Sequence, residues 1–166
     1  DEFGVEWDRS IDKDIGVVRN RLVGRESVEE YVFPDAGAPG RYDGVRRTAE
    51  NAGGRFVVAN LGFSLFERAW TLAGMEEILI GMAAEPEFVH RLMDRILEYN
   101  LQVIERCCAL PIDAMMFGDD WGQQRGVIMG PERWREFVEP RVRQMYGLAK
   151  SMGKYVFIHS CGKVDE

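Results

Sequence analysis

At 166 residues, with 46 % hydrophobic and 30 % charged side chains, the chain is long enough to bury a sizeable core and has the make-up of an ordinary globular domain. A formal charge of -7 and a pI near 5.0 argue against nucleic acid as a partner, and no stretch is long and apolar enough for a membrane span. Three irregularly spaced cysteines make no disulfide framework, so the cytoplasm is the expected compartment.

The opening Asp1-Glu-Phe-Gly-Val-Glu-Trp7 has neither a methionine nor a signal-peptide pattern and reads as an internal start. Phe3 to Trp7 and Gly16 to Leu22 contain β-formers and flank a polar run with Asp12-Lys-Asp14 at its tip, which predicts a hairpin within residues 1–23. Ser27-Val-Glu-Glu30 has capping-box spacing, and any helix it starts must end before Pro34. Pro34 to Gly40 is a loop by composition, Arg41 to Ala52 a polar helix, and Gly53-Gly54 its stop.

From Phe56 onward the order is strand, helices, strand, helix, strand, so that residues 56–166 read as βα units. Phe56-Val-Val-Ala-Asn-Leu61 is a short apolar strand. Leu65 to Trp70, then Met75 to Ala84 after a break at Gly74, and Pro86 to about Ala109 carry apolar residues at helical spacing. Cys107 and Cys108 fall in the last turn of that stripe and are read as packing rather than as ligands. Ile112 to Phe117 is the next strand, Pro131 opens a long helix that Pro140 should kink, and Gly153 ends it. Tyr155-Val-Phe-Ile158 follows, uniformly apolar and bounded by Gly153 and Gly162, and is expected to be buried on both faces. Connections this long imply parallel strands with helical crossovers, in which chemistry gathers beyond the carboxyl ends of the strands.

Three strand ends are therefore the candidate site. At the last, His159 and Cys161 are two apart and share a side if the extended backbone lasts that far. Imidazole and thiolate together are half of a tetrahedral zinc site; alternatively His159 bonds a backbone carbonyl and Cys161 is a small buried hydrophobe. At the second, Asp119 and Asp120 follow an apolar strand directly, where a carboxylate must be hydrogen-bonded, paired or used. Either could orient a ligand or hold a metal-bound water, and either could cap backbone donors. Arg125 is an anion clamp or a partner for those aspartates, and Trp121 a stacking platform or plain packing. Asn60 and Ser64 are polar at the first strand end; His90 reads as solvated. Neither a phosphate-cradling glycine loop with its lysine nor a Gly-x-Ser-x-Gly elbow occurs.

Taken together, Gly62-Phe-Ser-Leu-Phe-Glu-Arg-Ala69, Glu85-Pro-Glu-Phe-Val-His-Arg-Leu92, Phe117-Gly-Asp-Asp-Trp-Gly122 and Ile158-His-Ser-Cys-Gly162 resemble the uroporphyrinogen decarboxylase (URO-D) superfamily, and within it the cobalamin-dependent methyltransferase-like branch. The resemblance implies an α/β fold of the TIM (β/α)8 barrel type, here a single partial barrel preceded by a hairpin, because such barrels run to about 250 residues. It implies Zn²⁺ on His159 and Cys161 with a third protein ligand beyond Glu166, so that this stretch alone should bind zinc weakly. The implied reaction moves a methyl group between a corrinoid, carried by a partner protein, and a small-molecule thiol or methyl donor; Asp119 and Asp120 are the catalytic candidates and Asn60, Trp121 and Arg125 the substrate-binding ones. A homo-oligomer is a compatible assembly. One alternative is uroporphyrinogen decarboxylation itself, a step of porphyrin synthesis that needs neither metal nor cofactor. The other is a non-catalytic barrel segment whose unpaired strand edges need a partner.

Overall fold

The computed structural model describes residues 1–165 except 11, 12 and 15. At the amino end β1 (Trp7–Asp8) pairs antiparallel with β2 (Val17–Val18), Trp7 opposite Val18. This is the expected hairpin in shortened form; its expected tip, Asp12–Asp14, lies partly outside the described residues. The amino-terminal segment is held down by Arg68, nearly buried, whose guanidinium lies 3.8 Å from the Phe3 ring centre and 2.8 Å from the Asp1 carboxylate.

Ser27 starts no helix. Its hydroxyl accepts the Gly24 N–H at 3.0 Å, closing a local turn, and residues 25–30 stay in turns. Side-chain bonding to nearby backbone competes with helix at such residues. The polar helix α1 (Asp43–Glu50) buries none of its residues.

Next come β3 (Val58–Leu61), α2 (Phe66–Ala73), α3 (Met75–Ala84), α4 (Pro86–Cys108) and β4 (Ala114–Gly118). Gly74, at φ 96°, makes the corner between α2 and α3, a conformation that L side chains avoid. Pro86 opens α4, where its missing N–H is one of the unsatisfied donors of any first turn. Helix α4 is the spine of the core: Phe88, Val89, Leu92, Met93, Ile96 and Ile104 are all but inaccessible. Cys107 and Cys108 close that stripe and are buried, as their spacing predicts.

After β4 the chain forms a second small hairpin, β5 (Gly122–Gln123) with β6 (Gly126–Val127). Then α5 (Pro131–Arg133) runs without interruption into a π-helical turn (Trp134–Val138) and α6 (Glu139–Ser151). The expected break at Pro140 takes this form. Pro140 falls in the first turn of α6, and the irregularity is absorbed in the wider π turn before it, closed by Glu139 N–H to Trp134 C=O. Buried Arg141 reaches back to bond the Phe137 carbonyl at 2.7 Å and Asp94 at 2.8 Å. Its other nitrogen lies 3.1 Å from Nδ1 of His90, and the His90 ring stacks on Phe137 at 4.4 Å. His90 is therefore a part of the α4–α6 packing rather than a solvated side chain.

The chain ends in β7 (Tyr155–His159), and the main sheet is parallel with order β3-β4-β7. In register, Ala59, Met115 and Val156 form one row and Leu61, Phe117 and Ile158 another, on the face that meets the helices. Phe117 reaches Tyr146 of α6 on that side, ring centres 4.9 Å apart. The opposite face carries Val58, Ala114 and Tyr155, then Asn60, Met116 and Phe157, then Gly118 and His159; among the described residues no helix packs on it, although Ala114 in its first row is fully buried. Tyr155 is 68 % and Phe157 49 % exposed, so β7 is not buried on both faces as its composition predicts. Small Ala114 lets Phe56 lean across β4 to touch Tyr155 and Phe157, with ring centres at 5.9 and 6.2 Å. Among the described residues the sheet does not close into a barrel. Among the described residues no helix is long and apolar enough to cross a membrane.

Candidate metal centre at the strand ends

Parallel strands bring the ends of β3, β4 and β7 to one edge, and backbone bonds then tie the last two loops together. Asp119 N–H donates to the His159 carbonyl at 3.1 Å, Lys163 N–H to the Gln123 carbonyl at 2.9 Å, and Trp121 N–H to the Ser160 hydroxyl at 3.2 Å. The approach is so close that a Cβ on Gly122 would stand 2.3 Å from the Cys161 carbonyl oxygen. A Cβ on Gly162, at φ +79°, would stand 2.5 Å from the Gly122 carbonyl carbon. Only glycine fits at either position. The first strand end is strained as well: Phe63 holds φ 51°, an uncommon conformation for a bulky residue, with its ring against Trp7 and Trp70.

His159 and Cys161 leave the chain on one side. Cys161 Sγ lies 3.5 Å from His159 Nε2, and Asp120 Oδ1 lies 3.6 Å from the same nitrogen. Donor atoms of all three residues fall within 4.8 Å of one another. Asp120 Oδ1 also accepts the Cys161 N–H at 2.7 Å, which fixes the turn carrying the thiol. Hydrogen bonding to that carboxylate, and its charge, push the Cys161 thiol above its ordinary range. A cation seated among the three donors would reverse that shift.

The two adjacent aspartates have different tasks. Asp119 is 1 % exposed and turns the other way, accepting the amides of Phe66 at 2.9 Å and Glu67 at 2.8 Å. It caps α2 across the fold, from a strand end more than fifty positions away in sequence, a favourable place for an anion. Burial still pushes its carboxyl up to about 6, against those amides. The cap reading of the sequence fits Asp119; the site reading fits Asp120.

The other candidates are scattered around this centre. Asn60 stands on the open sheet face, in the row with Met116 and Phe157, one step below Gly118 and His159. Ser64 is fully buried beside α2 and serves the scaffold, its amide bonded to the Gly118 carbonyl at 3.0 Å and its own carbonyl accepting the Asn100 side chain. Trp121 is 6 % exposed and packs edge-on against Trp134, ring centres 5.8 Å apart. Those two rings, Val127, Ile158 and Val164 line a cavity of about 270 Å³ on the helix side of the sheet, away from the face that carries His159. Arg125 is exposed at the tip of the β5–β6 hairpin and pairs with neither aspartate. Glu67 has no strong signal in the sequence, yet burial, with the neighbouring Asp119 charge, pushes its half-buried carboxyl up to about 7. Only the strand-end meeting of α2 and β4 reveals it.

The chain belongs to the uroporphyrinogen decarboxylase (URO-D) family, whose model matches residues 2–166. Among solved structures it is similar to a methyltransferase from Methanosarcina mazei, with a TM-score of 0.75, 15 % identity, and 99 % of this chain and 48 % of that one covered. It thus spans about half the length of that protein. No curated protein matches the sequence. The likeness makes the three parallel strands and their helical crossovers an arc of a TIM-barrel type fold.

Proposed function

We propose that this chain carries the metal-binding edge of a zinc-dependent methyltransferase, which moves a methyl group between a corrinoid on a partner protein and a small thiol or methyl donor. The observation that carries the reading is the separation of His159 Nε2 and Cys161 Sγ. With Zn–N about 2.0–2.1 Å and Zn–S about 2.3 Å, a tetrahedral ion holds its N and S ligands about 3.5 Å apart. The two atoms lie 3.5 Å apart, at a strand end, where catalysis is expected in this class of fold. The name of the Methanosarcina mazei neighbour agrees with the reading.

Zinc in such a site would bind a thiol substrate and hold it as thiolate at neutral pH. The chain's own residues do the rest. His159 and Cys161 would hold the ion on the open face of the sheet, Asp120 fixes the Cys161 turn, and Asn60 and Met116 occupy the next row of that face. The tied loops deny the site freedom to splay, which keeps the donors in place before any ion arrives. Elemental analysis of the purified full-length protein tests the proposal: about one zinc per chain, lost in Cys161→Ala, is the expected result. Fully active metal-free protein would end it.

A second reading is uroporphyrinogen decarboxylation, favoured by the family match over residues 2–166. It draws on an aspartate for pyrrole N–H groups and on arginines for carboxylates. Asp119 is committed to the α2 amides, and Arg125 stands at a hairpin tip, which leaves Asp120 alone for that work. Conversion of uroporphyrinogen to coproporphyrinogen without added metal would favour this reading over the first. A scaffold without activity loses to turnover in either a methyl-transfer or a decarboxylation assay.

A further inference from the structure

We infer that Asp120 is the third protein ligand of the metal, so that this chain itself supplies an N, S, O donor set. The inference rests on the metal-site reading above and goes past it, since that reading draws its third ligand from elsewhere. Three observations bear on it. First, Asp120 Oδ1 approaches His159 at Nε2, the same nitrogen that faces Cys161 Sγ. A carboxylate that merely orients a ligating histidine sits on the ring's other nitrogen, which donates to it. Asp120 is therefore on the ion's side of the ring.

Second, the spacing is that of a coordination edge. A tetrahedral ion about 2.0–2.2 Å from N and O holds those two atoms about 3.4 Å apart, and here they are 3.6 Å apart. The third donor pair closes the triangle within 4.8 Å. Third, Asp120 is kept there by backbone rather than chance. The amide before it is held by the His159 carbonyl, the amide after it by the Ser160 hydroxyl, and its Oδ1 accepts the Cys161 N–H. The loop is thus tied on both sides of the carboxylate, with Gly122 and Gly162 making the approach possible. Three protein ligands leave a fourth position open, the arrangement of catalytic zinc sites.

Cobalt(II) reports the ligand set without turnover, because a thiolate ligand gives a sulfur-to-cobalt charge-transfer band. The wild-type chain titrated with Co²⁺ should show a one-thiolate band that Cys161→Ala abolishes. Asp120→Asn keeps an oxygen to accept the Cys161 N–H yet is a poor ligand, and should weaken Co²⁺ binding by about 10–100-fold while the band persists. Asp120→Cys should roughly double the band at one bound ion, since a second thiolate then enters the same shell. Wild-type affinity in Asp120→Asn, or a one-thiolate band in Asp120→Cys, would overturn the inference while leaving His159 and Cys161 as ligands. Absence of any Cys161-dependent band in the wild type would remove the metal-site reading itself.

Discussion

Cys161 differs from the other two cysteines in what surrounds its sulfur. Burial raises the thiols of Cys107, to about 11, and Cys108, whereas Cys161 is exposed and is held up mainly by Asp120. A thiol reagent should therefore modify one cysteine quickly in the native, metal-free chain and the other two only on unfolding. Asp120→Asn should speed that reaction at neutral pH, and an unchanged rate would show that the carboxylate does not govern the thiol. Asp119 and Glu67 supply a pH dependence of stability. Their folded carboxyls titrate near 6 and 7, above the ordinary 3.8 and 4.5, so the folded chain favours the protonated forms. Their contribution is complete below about pH 4 and is lost as pH rises through 6 to 7. Glu67→Gln stays neutral throughout and keeps the side chain's shape. Relative to wild type, its urea midpoint should rise between about pH 4.5 and about pH 8; parallel profiles would contradict this assignment.

Between elements, the decisive device is the pair of strand-end loops laid against each other. Replacing Gly122 with alanine puts a methyl group 2.3 Å from the Cys161 carbonyl oxygen, so the loops must part. The expected result is a loss of about 1–3 kcal/mol of stability, in the range of overpacking, together with at least about tenfold weaker metal binding. Gly147→Ala is the control. Nothing lies within 4 Å of its added methyl group, and alanine favours the α6 helix it sits in. Equal behaviour of the two variants would mean that the loop contact does not hold the site. Much of this level was legible in the sequence: apolar runs stopped by glycine gave the three parallel strands, and the two-residue spacing of His159 and Cys161 gave their common side. Which of Asp119 and Asp120 faces the site was not legible, because adjacent carboxylates are alike in composition. Only the amides of α2, brought there by the fold, separate them. Glu67 was hidden for the same reason.

Across the whole molecule, the open sheet face is why the composition of β7 predicts more burial than the strand has. A uniformly apolar strand shows that its surfaces seek cover, not that this chain supplies the cover. Phe56, Val58, Tyr155 and Phe157 stand 41 % to 68 % exposed on or beside that face, and β3 and β7 are both edge strands. An exposed apolar surface bounded by unpaired edges favours association. This chain expressed alone should self-associate in sedimentation, and Phe157→Glu should reduce that; a monomer at all concentrations would contradict the expectation. The helix side, by contrast, is a closed core built on α4, which accounts for a stable edge on which to hold a site. If imidazole and sulfur grip one ion together, X-ray absorption at the zinc edge of the loaded protein will show one sulfur at about 2.3 Å with nitrogen and oxygen at about 2.0–2.2 Å; a shell without sulfur, or one unchanged in Cys161→Ala, would contradict joint ligation.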